Sequence, residues 1–531
     1  MARSKLGSLF LLLCFAAGPA AAQSFRVQCP TTTITHPTAA KNNSEPAYSG
    51  PTTFTLKAVS GTTGGYLVPS PNTVNGAIKC QQISGGDGYA TMGDGTQTYL
   101  FAFGPLSGLA DMAAGKPGTE FPSTFNTVAT GLLPGDPATT MDASQPFTYN
   151  GAVGLTPDID ANGGRGTTGA PLDGHVDPRQ IMDVGVMNGN IPAPLMAIDE
   201  DDEFFLTLTN VGMIMRPDLF EQHTVHFHGY PNASSFFDGV PDASVAINIG
   251  ASFTYYYLAP DAGTYFWHCH ITPPEHLQMG MVGQLYVRPR QDRVTRGHSL
   301  YTALQAQEGD NRTKCDSTSD ILCSNPLPAV LTGATRASTG NYAYNDGDGS
   351  TYYDVEYPIQ IHGFDPNFHF VGMTFNPEEF ADMKDKYFLL NGRSYPDTVT
   401  SGPMQTMSTD GAMHFSQPLN SIINIPAGGK ALLRISDLDV TEFQTLASLG
   451  IPMKVIALNA KLLRDQAGNN MYYNTNSITL GGGESLDVIL DASDTTKFPK
   501  GSVFYLYTPN LDHLSNDAEN FGGLMTEVRI N

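Results

Sequence analysis

The chain has 531 residues, and 28 Lys and Arg stand against 51 Asp and Glu, for a formal net charge of −23. Only 15% of residues are charged and 40% are hydrophobic, which excludes a disordered chain. The negative surface excludes nucleic acid and anionic membranes as partners. The length predicts roughly three or four units, and 55 Gly with 37 Pro predict a turn-rich, all-β fold.

The chain opens on an export signal. Arg3 and Lys5 precede an apolar run from Leu6 to Ala17, and Ala20-Ala21-Ala22 is a small-residue cleavage site, so residues 1–22 are read as a signal peptide. No second run approaches about twenty apolar residues, so no membrane span is expected and the protein is read as secreted or periplasmic. Cys14 leaves with the signal. Cys29, Cys80, Cys269, Cys315 and Cys323 remain. Proximity pairs 29 with 80 and 315 with 323, which leaves Cys269 as a free thiol in an oxidising compartment.

Residues 23–180 are rich in Gly, Ser, Thr, Pro and Asn, with strand-like runs at 53–59 and 98–103. Their second half, from about 105, reads as a long insertion or a loop-dominated layer. This region is expected to belong in part to the first sandwich. From 181 to 290 the pattern sharpens into strands at 204–209, 225–228, 251–258, 263–268 and 284–288. Residues 291–355 read as a linker, and the acidic loop 345–349 within it reads as a solvated turn. Residues 356–531 repeat the strand-and-turn style at 387–390, 422–425, 431–435, 453–458, 487–490, 503–507 and 525–530. The expected architecture is two Greek-key β-sandwiches with an elaborated N-terminal region.

Two segments carry the chemistry. The first is His223-Thr224-Val225-His226-Phe227-His228-Gly229. The second runs from Trp267-His268-Cys269-His270 through His276 to Met281. Strand side chains alternate faces, so His226 and His228 share a face, as do His268 and His270, while Cys269 points the opposite way. One thiolate, two imidazoles (His223 and His276) and a thioether form a blue-copper ligand set. Met281 is the preferred axial group and Met279 the alternative. A single Cys with a Met is a poor zinc set. The opposite face offers only imidazoles, His226, His228, His268 and His270, which suit copper that meets O2 or another small acceptor.

These residues closely resemble the multicopper oxidase family of the cupredoxin superfamily. Further resemblance lies in Asn188-Gly189-Asn190-Ile191-Pro192, Asp238-Gly239-Val240-Pro241 and Ala262-Gly263-Thr264-Tyr265. In the second half it continues in Phe388–Arg393, Pro426–Arg434 and Gly482–Val488. The resemblance implies two cupredoxin domains, the second without copper ligands. It assigns His223, Cys269, His276 and Met281 to type 1 copper, His226 to type 2 copper, and His228, His268 and His270 to the type 3 pair. It implies one-electron oxidation of a reductant at the exposed edge of His276. Electrons then pass through Cys269 to His268 and His270 and reduce O2.

The chain departs from the family in carrying only two of the four HxH-like pairs of a complete cluster. His36, His175, His298, His362, His369, His414 and His513 are scattered singly. The spacer from Cys269 to His276 is also longer than usual and contains Pro273-Pro274. Three readings follow. A second copy or a separate partner completes the cluster; the protein is an electron-transfer or copper-binding cupredoxin; or it resembles copper nitrite reductases, against which His226 and His270 argue. Phenols, Fe(II), Mn(II) and Cu(I) are all candidate reductants. The acidic composition suits a metal cation, and Met404-Gln405-Thr406-Met407 offers thioethers to Cu(I).

Overall fold

A computed structural model describes residues 28–108, 111–112, 114–126, 188–213, 215–216, 219–230, 234–259, 261–306, 327–373, 379–407 and 413–531. The expected export signal, most of the 105–180 insertion, His175 and the Cys315/Cys323 pair lie outside these residues.

The first sandwich uses β1 (Ile78–Thr91), β2 (Gln97–Pro105), β3 (Met196–Asp199), β4 (Glu203–Gly212), β5 (His226–Phe227), β6 (Ser252–Leu258), β7 (Gly263–His268) and β8 (Val282–Arg288). One sheet has the order β2-β1-β4-β6 and the other β3-β8-β7-β5. Alternate residues face inward: Phe204, Leu206 and Leu208 on β4, Phe253, Tyr255 and Tyr257 on β6, and Phe101 and Phe103 on β2, packed with Trp267. Each such side chain taken out of water contributes about 1.5–3 kcal/mol.

β1 departs from expectation. Its centre, Ser84-Gly85-Gly86-Asp87-Gly88, has the composition of a loop, yet it pairs in parallel with β4 and antiparallel with β2. The glycines permit close approach of other groups. A Cβ on Gly88 would lie 2.1 Å from the Gly189 carbonyl oxygen, and one on Gly85 would lie 2.6 Å from the His223 ring. The Cys29–Cys80 disulfide ties the preceding segment to β1.

The second sandwich uses β9 (Val355–Phe364), β10 (Tyr387–Leu390), β11 (Ile423–Ile425), β12 (Lys430–Asp437), β13 (Gln444–Leu449), β14 (Met453–Leu458), β15 (Ser477–Leu480), β16 (Ser485–Asp491), β17 (Val503–Tyr507) and β18 (Met525–Ile530). Its sheets run β10-β9-β12-β16-β14 and β11-β18-β17-β13-β15. Ile359, Ile361, Leu433, Ile435, Val488, Leu490, Val528 and Ile530 fill the core between them. Among the described residues no helix is long and apolar enough to cross a membrane.

The described part of 291–355, the expected linker, packs against both sandwiches, through Arg293 on Asp201 and Tyr344 on Asp487. It holds a helix at Leu300–Gln305 and buries Arg293, Arg336, Tyr342 and Tyr344. The loop at 345–349 is not solvated at its head. Asp346 is fully buried and accepts from Gln291, Gly349 and Thr351. Its carboxylate supplies the acceptors that the backbone of a buried tight turn would otherwise lack.

The two sandwiches meet through β7 and β8 on one side and β12 and β16 on the other. Thr264 donates to Asp487 at 2.6 Å, and Gln284 donates to Ser436 at 2.7 Å. Glu356 bridges Arg288 of the first sandwich (2.7 Å) and the fully buried Arg434 of the second (3.0 Å). Burial would raise the Glu356 carboxyl, but Arg288 and Arg434 outweigh it and hold it at about 2. Its folded value therefore lies below its unfolded one. The stabilisation is complete above the ordinary carboxylate range and is lost as pH falls toward about 2. Glu356→Gln leaves Arg434 buried without its charge partner and is expected to cost about 3–5 kcal/mol. It should also flatten the acid limb of stability against pH. Thermal melts that match wild type from neutral to acid pH would refute this.

Candidate metal centres

Local structure brings the three donors of the first pocket together. His223 precedes β5 and exchanges backbone hydrogen bonds with Ile247. Cys269 follows β7 directly and donates its N–H to the Met281 carbonyl at 3.1 Å. The long spacer folds into a short helix, α1 (Pro273–Gln278), with the two prolines at its start, where their missing N–H groups cost nothing. That helix delivers His276, whose carbonyl accepts from the Met281 N–H at 2.8 Å.

His223, Cys269 and His276 are all buried, and their donor atoms lie within 4.8 Å of one another. His276 Nδ1 is 3.3 Å from Cys269 Sγ, which also accepts from the Thr224 N–H at 3.4 Å. Both ring nitrogens of His223 are buried without a hydrogen-bond partner. Buried polar atoms normally have partners, so these orphans fit a pocket that holds a metal ion. Burial pushes the His223 imidazole well below its ordinary value. Burial acts the same way on His276, but Cys269 and Glu221 prevail and lift it to about 10. Met279 and Met281 are both fully buried in the surrounding core. Phe101 on β2 packs edge-on against His276 at 5.3 Å, so the N-terminal hairpin walls the pocket.

His276 does not present the exposed edge expected of it, because it is fully buried. The Glu221 carboxylate, 26% exposed and 3.7 Å from His276 Nε2, lies between the ring and solvent. The reason is α1, which turns the ring inward against Cys269.

On the other side of the same strand end, His226, His228 and His268 bring their donor atoms within 4.8 Å of one another. The His270 ring lies 5.1 Å from that of His226 and stacks on His268 at 5.5 Å. Three backbone carbonyls orient the rings. His226 Nδ1 donates to Asp238 O at 2.7 Å, His268 Nδ1 to Cys269 O at 2.6 Å, and His228 Nδ1 to Gly483 O at 3.3 Å. A carbonyl only accepts, so each Nδ1 carries a hydrogen and each Nε2 is turned away from these anchors. His228 Nε2 and His268 Nε2 are 3.0 Å apart. Both rings turn Nε2 toward one point with their outer nitrogens already bonded, an arrangement that suits a shared metal ion. Burial lowers His228 and takes His268 down to about 3, so both rings are in the neutral form that binds metals.

Cys269 joins the two pockets twice. Its peptide bond leads to His268, and its carbonyl accepts from the His268 ring. The scattered histidines whose side chains are described lie elsewhere. His36 contacts Glu203 at 3.0 Å, His369 stacks on Phe364, and His513 stacks on Phe388. The four imidazoles of the second pocket are therefore the only histidines described there, and His228 is exposed. The Asp238 anchor lies in the Asp-Gly-Val-Pro turn singled out in the sequence. The Gly483 anchor comes from the second sandwich, and its contact with His228 has no local sequence signal.

A strand end that faces a thiolate pocket on one side and imidazoles on the other marks a metal-binding cupredoxin sandwich. Residues 173–292 match the multicopper oxidase family, and this part of the chain is a multicopper oxidase domain of the cupredoxin fold. Laccase abr2 of Aspergillus fumigatus is 33% identical over 109 residues, which is 20% of this chain and 17% of that protein. Multicopper oxidase MmcO of Mycobacterium tuberculosis is 33% identical over 138 residues, 24% of this chain and 26% of that protein. The chain thus matches only a minor part of the length of these relatives. A blue copper oxidase structure from Nitrosomonas europaea aligns over 85% of each chain at 16% identity, with a TM-score of 0.46.

Proposed function

We propose that the chain is an exported, copper-dependent oxidoreductase of the multicopper oxidase type. The observation that carries this reading is the join at Cys269, where one residue serves a soft-metal pocket and adjoins an imidazole pocket. His223, Cys269 and His276 would hold the first copper, with Met281 or Met279 as axial group. His226, His228, His268 and His270 would hold copper in the second pocket. Copper would supply one-electron oxidation at the first site and O2 reduction at the second. Glu221 offers a carboxylate to a cationic or hydroxyl-bearing reductant above His276, in keeping with the acidic chain. The Cys29–Cys80 disulfide agrees with an oxidising compartment.

Four imidazoles with one exposed member make half of a cluster, and a second copy or a separate partner would supply the rest. Sizing of copper-loaded protein is therefore expected to show an oligomer or a complex. A strictly monomeric chain that reduces O2 with a full copper complement would contradict the shared cluster. The exposure of His228 also favours a second reading, an electron-transfer cupredoxin without its own oxidase activity. One copper per chain by quantitation and EPR, without O2 uptake under any reductant, would select it.

A further inference from the structure

The buried carboxyl groups of Asp385 and Asp439 meet over Gly363. A Cβ there would lie 2.1 Å from Asp385 Oδ2 and 2.6 Å from Asp439 Oδ2, so the two oxygens crowd the space a side chain would fill. The Thr441 hydroxyl contacts both groups, Asp385 Oδ2 and, at 3.0 Å, Asp439 Oδ1. A hydroxyl has one hydrogen and cannot donate to two carboxylates at once. A proton on one of the carboxyl groups completes the arrangement. Gln278 on α1 donates to Asp385 Oδ1 at 3.0 Å, and Gln444 donates to Asp439 Oδ2 at 2.6 Å. Those bonds fix Asp385 Oδ1 and Asp439 Oδ2, while Asp385 Oδ2 and Asp439 Oδ1 face the Thr441 hydroxyl, the latter also accepting from the Thr441 and Glu442 N–H groups.

The pair separates two clefts. One, of about 390 Å³, is lined by Asp439 together with His228 and His268. The other, of about 520 Å³, is lined by Asp385 with Lys384, Lys386 and His513. Thr441 lines both.

We propose that Asp385, Thr441 and Asp439 form a proton relay from the outer cleft to the histidine cleft, serving O2 reduction at the second pocket. This rests on the oxidase reading. Reduction of O2 to two waters takes four electrons, which come from the reductant by way of Cys269, and four protons from bulk water. Each proton enters on Asp385. Asp385 passes a proton to the Thr441 oxygen while Thr441 passes its own hydrogen to Asp439. Asp439 releases a proton to water in the histidine cleft, and rotation of the Thr441 hydroxyl resets the path. Only O–H bonds form and break. A partner seated over the exposed histidines would close their cleft to bulk water, and the relay would remain open from the far side.

Burial and the neighbouring Asp439 push the Asp385 carboxyl well above the ordinary carboxylate range. Other charged or titratable groups also face the pair. His362 bonds Leu277 O through Nε2, Asp437 accepts from the Asp439 N–H, and Asp365 accepts from the Lys384 N–H. Glu442 lies 3.2 Å from His513 at the outer cleft.

The test begins with copper-free protein. Infrared spectroscopy at neutral pH is expected to show a buried protonated-carboxyl band that shifts in D2O and is lost in Asp439→Asn. Copper-loaded Thr441→Val is then expected to be reduced by an anaerobic reductant at the wild-type rate, but reoxidised by O2 more slowly by on the order of 10²-fold. Thr441→Ser, which keeps the hydroxyl, should restore the rate. Absence of the carboxyl band, or wild-type reoxidation in Thr441→Val, would overturn the relay. A wild-type protein that shows the band but never reduces O2 would overturn the oxidase reading and the delivery role with it, while the shared proton would stand.

Discussion

Cys269→Ser is expected to abolish the intense blue absorption of copper-loaded protein and to reduce substrate oxidation to background. Cys269 is the only free cysteine among the described residues, and it is buried. Its sulfur sits 3.3 Å from His276 and is the one soft anionic donor in the pocket. A serine hydroxyl is harder, shorter and neutral, so the pocket loses both its preference for copper and its charge transfer. The fold should survive, because Ser is smaller and its hydroxyl can accept from the Thr224 N–H. The cost is about 1–3 kcal/mol, that of a poorly satisfied buried polar group. Absorption spectra of the loaded variant decide the matter, and a persistent blue band would show that the thiolate pocket lies elsewhere.

His228→Ala is expected to separate the two half-reactions. The variant should keep its blue colour and bleach normally with an anaerobic reductant, since His228 takes no part in the Cys269 pocket. Reoxidation by O2 should slow by on the order of 10²-fold or more, the scale on which loss of a ligand or its support is felt. His228 is exposed, and its ring is held by one hydrogen bond to Gly483 O and by an edge-on contact with Phe266, so little stability is at risk. Stopped-flow bleaching and recolouring measure both steps. Recolouring at the wild-type rate would show that the four imidazoles are not where O2 is reduced.

Much of the candidate site was legible in the sequence because its candidate donors lie in two short segments. The period of two along a strand puts His268 and His270 on one face, and the stacked rings of these residues reflect it. Seven strands of the second sandwich were legible from their apolar runs, four of them to the residue: Tyr387–Leu390, Met453–Leu458, Val503–Tyr507 and Met525–Ile530. β1 was not. Its glycines serve contacts with His223 and Gly189, which lie more than a hundred residues away in the chain. Composition alone cannot distinguish a glycine that makes room from one that makes a turn. The burial of His276 was hidden in the same way, since only the folded spacer shows that Pro273-Pro274 starts a helix.

The sequence by itself determined the candidate donors, their two faces and the unpaired Cys269, because those depend on residue type and on spacing within single segments. Tertiary structure alone decided what surrounds them. Gly483 anchors His228 from the second sandwich, Glu221 covers His276, and Asp385 meets Asp439 over Gly363. Each of these contacts joins segments far apart in the chain. Their geometry is set by how the sheets pack, and no local pattern encodes it.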